Sequence, residues 1–471
     1  MKFKTVSLLL TLLLAGCHTS SGHLNNNQIQ PPSAGAKNTP FPLNNYSQDI
    51  NKWIPFFSPE SEVPVLDAAT QARHFSRLKA HYFGTGINDK SPWNALWINK
   101  LISSDSAAEI KDRQIDKYLS GAERYYAFNF LELSTAWKDA VKDLAAVALP
   151  DASAGKAIVV RETLARSLPT LDPIFDDPQK PGQGFPFDLL QVSSVRPGTP
   201  AYVLTTSRDK AWKYIVTPAV QAWVKSDDVA SVDEDFVARW RDLAERQSGA
   251  FIKEPVSVND GAHFYFTARP GTILPLRQQQ TAFSVAIPVK QTDGSARIKW
   301  LSVSQDEVAA MPLKMTPKNI AYLIKSMQGK LYGWGNFNFY NDCSAELRSL
   351  LMPFGIFLPR NADAQAASGR VVDLSKEDVA TRLDYLQKYG KPFTTLIHID
   401  GHIMLYIGNA TLDGKVVPMT YQNLWGLRTQ PQPGRSIIGG SVFFPLLASY
   451  PEDASLLSPA AKPLFTLTFI E

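Results

Sequence analysis

Tyr332-Gly333-Trp334-Gly335, a short aromatic linker, and then Asn341-Asp342-Cys343-Ser344 form the most informative stretch of this 471-residue chain. Glycines let a chain turn tightly and let another backbone approach closely, so the first block reads as a loop. From Asp342 to Phe354 the pattern turns helical, with Leu347, Leu350, Leu351 and Phe354 on one apolar face. Cys343 therefore falls in the first turn of a helix. Backbone N–H groups and the positive end of the dipole favour a thiolate there, lowering a thiol pKa from its usual ~8.5. The same N–H groups can hold an oxyanion during acyl transfer. Asp342 acts in the opposite sense, because a carboxylate repels a neighbouring thiolate. Its place suggests a different task, such as holding a cation on the substrate.

The surrounding residues, 313–471, read as one mixed α/β unit. Thr316-Pro317 supplies an N-cap and a first-turn proline for a helix running to Met327. From Phe393 onward the period is two. Strands at Thr394–Ile399 and His402–Gly408 are joined by Asp400-Gly401, a dipeptide suited to tight hairpins, and another strand runs from Val416 to Asn423. A thiol nucleophile needs a base to activate it and to protonate the leaving amine. His398 and His402 lie on different strands of the hairpin, and spacing alone does not choose between them. Gln422 and Asn423, which alternation sends to opposite faces, are both candidates to orient an imidazole.

Upstream, residues 185–254 and 255–312 read as two β-rich modules. Short runs such as Ala201-Tyr202-Val203-Leu204, Trp212–Val216 and Ala222-Trp223-Val224, separated by turn residues, argue for a small barrel in the first. Its Pro197-Gly198-Thr199-Pro200 and Ser207–Trp212 segments resemble a bacterial SH3-like domain. The second is less sharply patterned, and His263 within it reads as structural. A Pro/Asp/Gly-rich link spans Leu171–Phe187. Residues 46–170 read as a helical N-terminal domain with a long helix from Glu123 to Val147. His74 and His81 there read as ordinary helix or loop residues.

The chain begins with Lys2 and Lys4, then an apolar run from Val6 to Leu14, too short for a bilayer span of ~20 residues but suited to secretion. Leu14-Ala15-Gly16-Cys17 resembles a bacterial lipobox. It implies a lipoprotein signal peptide over 1–16, diacylglycerol on Cys17 and a flexible tether over 17–45. His18, rather than aspartate, after the cysteine implies the periplasmic face of the outer membrane. Cys17 and Cys343 are the only two cysteines. Acylation of the first leaves the second without an intramolecular partner, so a free thiol in an oxidising compartment calls for a use.

A hydrophobic fraction of 44%, a charged fraction of 20% and a formal net charge of +4 describe a globular chain. No Lys/Arg stripe stands out, which sets nucleic acid aside. The 33 prolines, 10 tryptophans and 16 tyrosines suit turn-rich β modules with aromatic grooves.

Taken in order, several blocks resemble the NlpC-type cell-wall cysteine peptidases, a papain-like family. They are the Tyr332-to-Ser344 motif, Leu358-Pro359-Arg360-Asn361 with Gln365, Gly401–Gly408, and Tyr421–Gly426. The whole arrangement resembles a multidomain α+β subgroup with a helical N-terminal domain, two SH3-like barrels and a C-terminal papain-like peptidase. The resemblance implies Cys343 as nucleophile, His402 as base and Gln422 as third residue, where many members carry histidine. It also implies hydrolysis of peptidoglycan stem peptides at the bond between γ-D-glutamate and a diamino acid, in fragments with a free N-terminal L-alanine. Asp342, helped by Tyr332 and Ser344, would pair with that ammonium. An aromatic among Tyr202, Trp212 and Tyr214 would close the site, and Arg360 either shapes the cleft or is a surface arginine. No cofactor or metal is implied, and the chain is expected to be a monomer. The alternatives are a non-catalytic peptidoglycan-binding lipoprotein and a thiol acyltransferase or amidase on the same fold.

Overall fold

A computed structural model describes residues 38–471 apart from 55, 57, 281 and 432. The expected signal peptide, the lipidation site at Cys17 and the tether as far as residue 37 lie outside the described residues. The end of that tether is not loose. Asn38–Pro40 forms a strand parallel to Gly434–Pro445, and Phe41 is buried with Tyr46, Phe444 and Tyr450. An aromatic residue in a polar stretch is what anchors it.

Four helices of at least nine residues, Ala68–Phe83, Ala95–Ser103, Ser106–Ile115 and Thr135–Ala145, occupy the N-terminal region. Asp67, Asn94 and Ser134 accept hydrogen bonds from first-turn N–H groups at three of their starts. The long helix expected from Glu123 is thus shorter. Ser134 caps its true start, and the preceding residues turn back in a Tyr126–Glu132 bridge with Phe130 at φ +66°. That bridge lets Tyr125 enter the core.

Residues read as the end of the helical domain instead begin the first barrel. Gly155–Val159 and Thr163–Arg166 join Gln191–Val195, Pro200–Thr206, Trp212–Val216, Gln221–Lys225 and Val229–Ser231 in one seven-stranded sheet. The run Ala157-Ile158-Val159 is fully buried there, and it is too short for its period to be read by sequence alone. The helix Glu234–Arg246 follows. A five-stranded sheet then runs from Ser248–Phe251 to Val308–Ala310, with the separate hairpin Val256–Asn259/Phe264–Ala268 inserted after its first strand. The first strand of this sheet thus lies ahead of residue 255.

The C-terminal unit is built on an antiparallel arrangement centred on Thr395–Ile399, His402–Leu412, Lys415–Thr429 and Gly434–Pro445. Helices Pro317–Met327 and Cys343–Leu351 cover one face, where Leu347, Leu350 and Leu351 meet Ile403, Leu405 and Tyr421. Each such leucine stabilises the fold by about 1.5–3 kcal/mol on burial. Helix Val379–Tyr389 and the strand Phe465–Phe469 build a second core on the other face, around Met404 and Tyr406. The sheet therefore holds the His402 strand between two cores and against the helix that begins with Cys343.

Candidate active site

Asp342 is the N-cap of the helix Cys343–Leu351, its Oδ1 accepting from the Ala345 N–H at 2.9 Å. This cap fixes Cys343 at the first helical position. The thiol is 6% exposed, and the backbone N–H of Ile403, the residue after His402, lies against its sulfur. Burial pushes the Cys343 thiol up to about 12, and the negative charge of Asp342 adds to the rise. The lowered thiol pKa expected at a helix N-terminus is therefore outweighed. Desolvation and a neighbouring carboxylate together exceed the dipole.

His402 opens its strand directly after Asp400-Gly401, where Gly401 has φ +73°. Its Nε2 lies 2.6 Å from Gln422 Oε1. The direction of that bond follows from the residues behind it. Thr420 donates its hydroxyl to Phe444 O at 2.7 Å, so its oxygen accepts from Gln422 Nε2 at 2.8 Å. Gln422 must then turn its oxygen to His402, which carries its proton on Nε2 and presents Nδ1 as a base. Burial lowers the imidazole to about 4, so it rests neutral, as the thiol does. Of the two open choices, Gln422 alone meets His402. Asn423 points away and donates to Asn341 O at 2.9 Å. His398 is engaged elsewhere, 3.0 Å from Asp363.

The surroundings of Asp342 differ from the sequence reading. Arg360 is buried, not a surface residue. Its guanidinium reaches both Asp342 oxygens, at 3.2 and 2.8 Å, and also Ser193, Ser344 and Asn336. Gly335 N–H and Ser344 Oγ donate to Asp342 as well. Burial alone would raise the Asp342 carboxyl, but Arg360, together with the Ala345 N–H and the Ser344 hydroxyl, more than offsets this and the pKa is lowered. Asp342 is thus an ionised carboxylate whose charge is already matched. Ser344 stays in this group, and Tyr332 is buried close enough to Cys343 and Asp342 for their charges to add to the rise that burial causes in its hydroxyl pKa. The Tyr332 ring packs on Trp425 and Phe187 and lines the cleft that contains His402.

The first barrel reaches the site by its strand Gln191–Val195. Gln191 Nε2 donates to Gly335 O at 2.9 Å, while its Oε1 accepts from the buried Arg166, itself ion-paired with Asp188. Gly335 has φ +60°, and a Cβ there would sit 2.1 Å from Gln191 O, so only glycine fits. None of the three aromatics expected to close the site does so. Trp212 and Tyr214 are buried, and Tyr202 packs against the same core with the N-terminal helices. Phe187 instead lines the cleft that contains His402, its ring centroid 5.5 Å from that of Trp334 and 5.8 Å from that of Trp425. It lay in a stretch read as a linker, and its only signal was the alternation Phe185-Pro186-Phe187.

Two clefts meet at Trp334 and Gly401. One, of about 430 Å³, contains Cys343, Asp342 and Arg360 and is walled by Gln191, Val192 and the turn Ala219–Gln221 of the first barrel. The other, of about 150 Å³, contains His402 and Trp425. Among the described residues no group of His, Cys, Asp and Glu is arranged to hold a metal ion.

The family described as SH3 domain (SH3b1 type) matches residues 173–225, and the SH3 domain of SH3b2 type matches residues 233–280. No curated protein matches the chain. Among solved structures, a novel NlpC/P60 endopeptidase from Photobacterium damselae subsp. piscicida is 23% identical with a TM-score of 0.78, covering 92% of this chain and 99% of its own. An NlpC/P60 family protein from Bacillus cereus is 15% identical, with a TM-score of 0.43 over 64% of this chain and 98% of its own. NlpC2 from Trichomonas vaginalis is 14% identical, with a TM-score of 0.27 over 68% of this chain and 98% of its own. The chain thus shares the fold of the Photobacterium NlpC/P60 endopeptidase over nearly its whole length. Its two SH3b-type domains and mixed α+β architecture agree with the reading of its motifs.

Proposed function

We propose that the chain is a cell-wall cysteine endopeptidase that hydrolyses peptidoglycan stem peptides. The observation that carries the reading is the oriented pair: Cys343 at the first turn of a buried helix, and His402 held by Gln422 with Nδ1 as its base. In the proposed reaction the Cys343 sulfur attacks the scissile carbonyl while its proton passes to His402. The carbonyl oxygen becomes an oxyanion at the helix N-terminus. Collapse breaks the C–N bond, and His402 returns the proton to the departing amine. Water, deprotonated by the now neutral imidazole, then attacks the thioester, releases the acid and restores the thiol. Starting from a neutral pair, proton transfer and attack occur together rather than through a standing thiolate.

The substrate side of the reading rests on the first barrel. Its turn Ala219–Gln221 and strand residue Gln191 wall the thiol-side cleft, which suits a short peptide end better than a continuous sacculus strand. The bond between γ-D-glutamate and a diamino acid, in fragments beginning with free L-alanine, fits this wall. The N-terminal ammonium would meet the Asp342–Arg360–Ser344 group. Anchoring through Cys17 at the periplasmic face of the outer membrane completes the proposal, with metabolic labelling by a fatty acid, lost in Cys17→Ala, as its check.

The activity is tested by incubating the purified protein with L-Ala-γ-D-Glu-diaminopimelate and identifying products by mass spectrometry. L-Ala-γ-D-Glu and free diaminopimelate are expected, and both should vanish in Cys343→Ala. Cleavage surviving that substitution would remove the thiol mechanism. Inactivity on all muropeptides, with binding retained, would favour a binding lipoprotein.

A further inference from the structure

The thiol-side cleft contains Cys343, whereas the second cleft contains His402, the group that hands its proton to the departing amine. The second cleft is therefore placed for the leaving half of the substrate. Its walls combine two features. Phe187, Tyr332, Trp334 and Trp425 line it with aromatic surface, and Arg428, Arg435 and Lys462 line it with charge.

The three cations share one sign at close quarters, Arg435 and Lys462 half-buried and Arg428 exposed. Arg428 and Arg435 are direct partners across the strands Lys415–Thr429 and Gly434–Pro445, and like charges opposite each other in a sheet destabilise it. Lys462 comes from the loop after Pro459–Ala461. None of the three forms an ion pair among the described residues, and Asp400 is the one carboxylate lining the cleft with them. The Arg435 guanidinium lies against Gly182 and, among the described residues, donates to Gly434 O at 3.1 Å. Burial, and then the charge of Arg428, lowers the Arg435 pKa; burial, Arg428 and Arg435 do the same at Lys462, partly offset by Asp400. Mutual repulsion of this kind is relieved by an anion, and arginine forks match a carboxylate.

Building on the peptidase reading, we propose that this cleft is a leaving-group subsite that selects a residue carrying a free carboxylate. Arg428, Arg435 and Lys462 receive the carboxylate, and the aromatic wall covers the aliphatic stem between it and the scissile amine.

The test uses L-Ala-γ-D-Glu-diaminopimelate and the same peptide with the diaminopimelate carboxylates amidated. Amidation is expected to raise KM about tenfold with little change in kcat, as for binding shared by ground and transition states. The preference should shrink towards one in Arg428→Gln/Lys462→Gln, and in the wild type as salt is raised. Calorimetric binding of both peptides to Cys343→Ala separates the subsite from the reaction. Tighter binding of the acidic peptide, lost when the Gln substitutions are added, supports the subsite even where no cleavage is seen. Equal affinities, or equal kcat/KM in an active enzyme, overturn it while leaving the peptidase reading in place.

Discussion

On the thiol side of the proposed catalytic pair, a buried carboxylate faces a buried guanidinium, and the Asp342 oxygens are held by Arg360, Gly335, Ser344 and Ala345. On the imidazole side, three cations share a cleft in which Asp400 is the one carboxylate among the described residues. Both regions are charged, but only the first is balanced from within. A buried pair of opposite charges fixes geometry, because removing either member strands the other. A half-exposed group of like charges fixes little and stores repulsion that a ligand can relieve. The difference separates a charge group that fixes the geometry around the thiol from one that stays open to an incoming anion.

Arg360→Leu should break that contrast most severely. Losing one member of a buried pair costs about 3–5 kcal/mol, and here it also removes bonds to Ser193, Ser344 and Asn336. Urea denaturation should show the loss, together with loss of cleavage. Adding Asp342→Asn should recover part of the stability, because no buried charge is then unmatched. Stability lost equally in the single and double variants would mean that Arg360 acts by packing alone.

Gln422→Leu should leave the fold and KM nearly intact and lower kcat by about 10²-fold, the usual scale of general acid–base assistance. The expectation follows from the Thr420–Gln422–His402 chain, which sets the imidazole tautomer. Histidine at this position would restore a partner for the Nε2 proton and should recover part of the rate. An unchanged kcat would place Gln422 outside the machinery.

The pH dependence sharpens the same side of the comparison. With His402 lowered to about 4, the acid limb of kcat/KM should fall near that value rather than near the ordinary histidine value of about 6.5. The stability sign is fixed by the same shift. Between those two pH values the unfolded chain binds the His402 proton and the folded chain does not, so stability declines as pH falls through this window. His402→Gln should lack that part of the decline, while retaining the part due to carboxylates such as Asp342, whose folded pKa is lowered.

Much of this site was legible because its local rules are strong. Cys343 in the first turn of its helix, Thr316-Pro317 opening another and Asp400-Gly401 turning a hairpin each follow from nearest-neighbour chemistry. The roles of neighbouring groups were not legible. Arg360 lies 18 residues from Asp342 and Gln191 lies 144 from Gly335, so nothing local announces either contact. Phe187 was lost in a proline-rich link. The thiol pKa was misjudged because burial is a tertiary quantity, and it exceeded the dipole that the sequence made visible. The arginines at 428 and 435 were overlooked because their opposition depends on strand register.

The smallest effect belongs to those arginines and completes the contrast with Arg360. Arg435→Gln removes a half-buried cation from a like-charged cross-strand pair, so the free protein should gain stability rather than lose it. The gain should be a few tenths of a kcal/mol, since solvent screens groups in so open a cleft. A small rise in the thermal midpoint is expected at low salt, fading as salt is added. Excess L-Ala-γ-D-Glu-diaminopimelate should reverse the order on a Cys343→Ala background, because the bound carboxylate stabilises only the cleft that keeps its cations. Arg435→Gln destabilising the free protein as strongly as Arg360→Leu would erase the distinction between the two clefts, since Arg435 would then hold the fold rather than await a ligand.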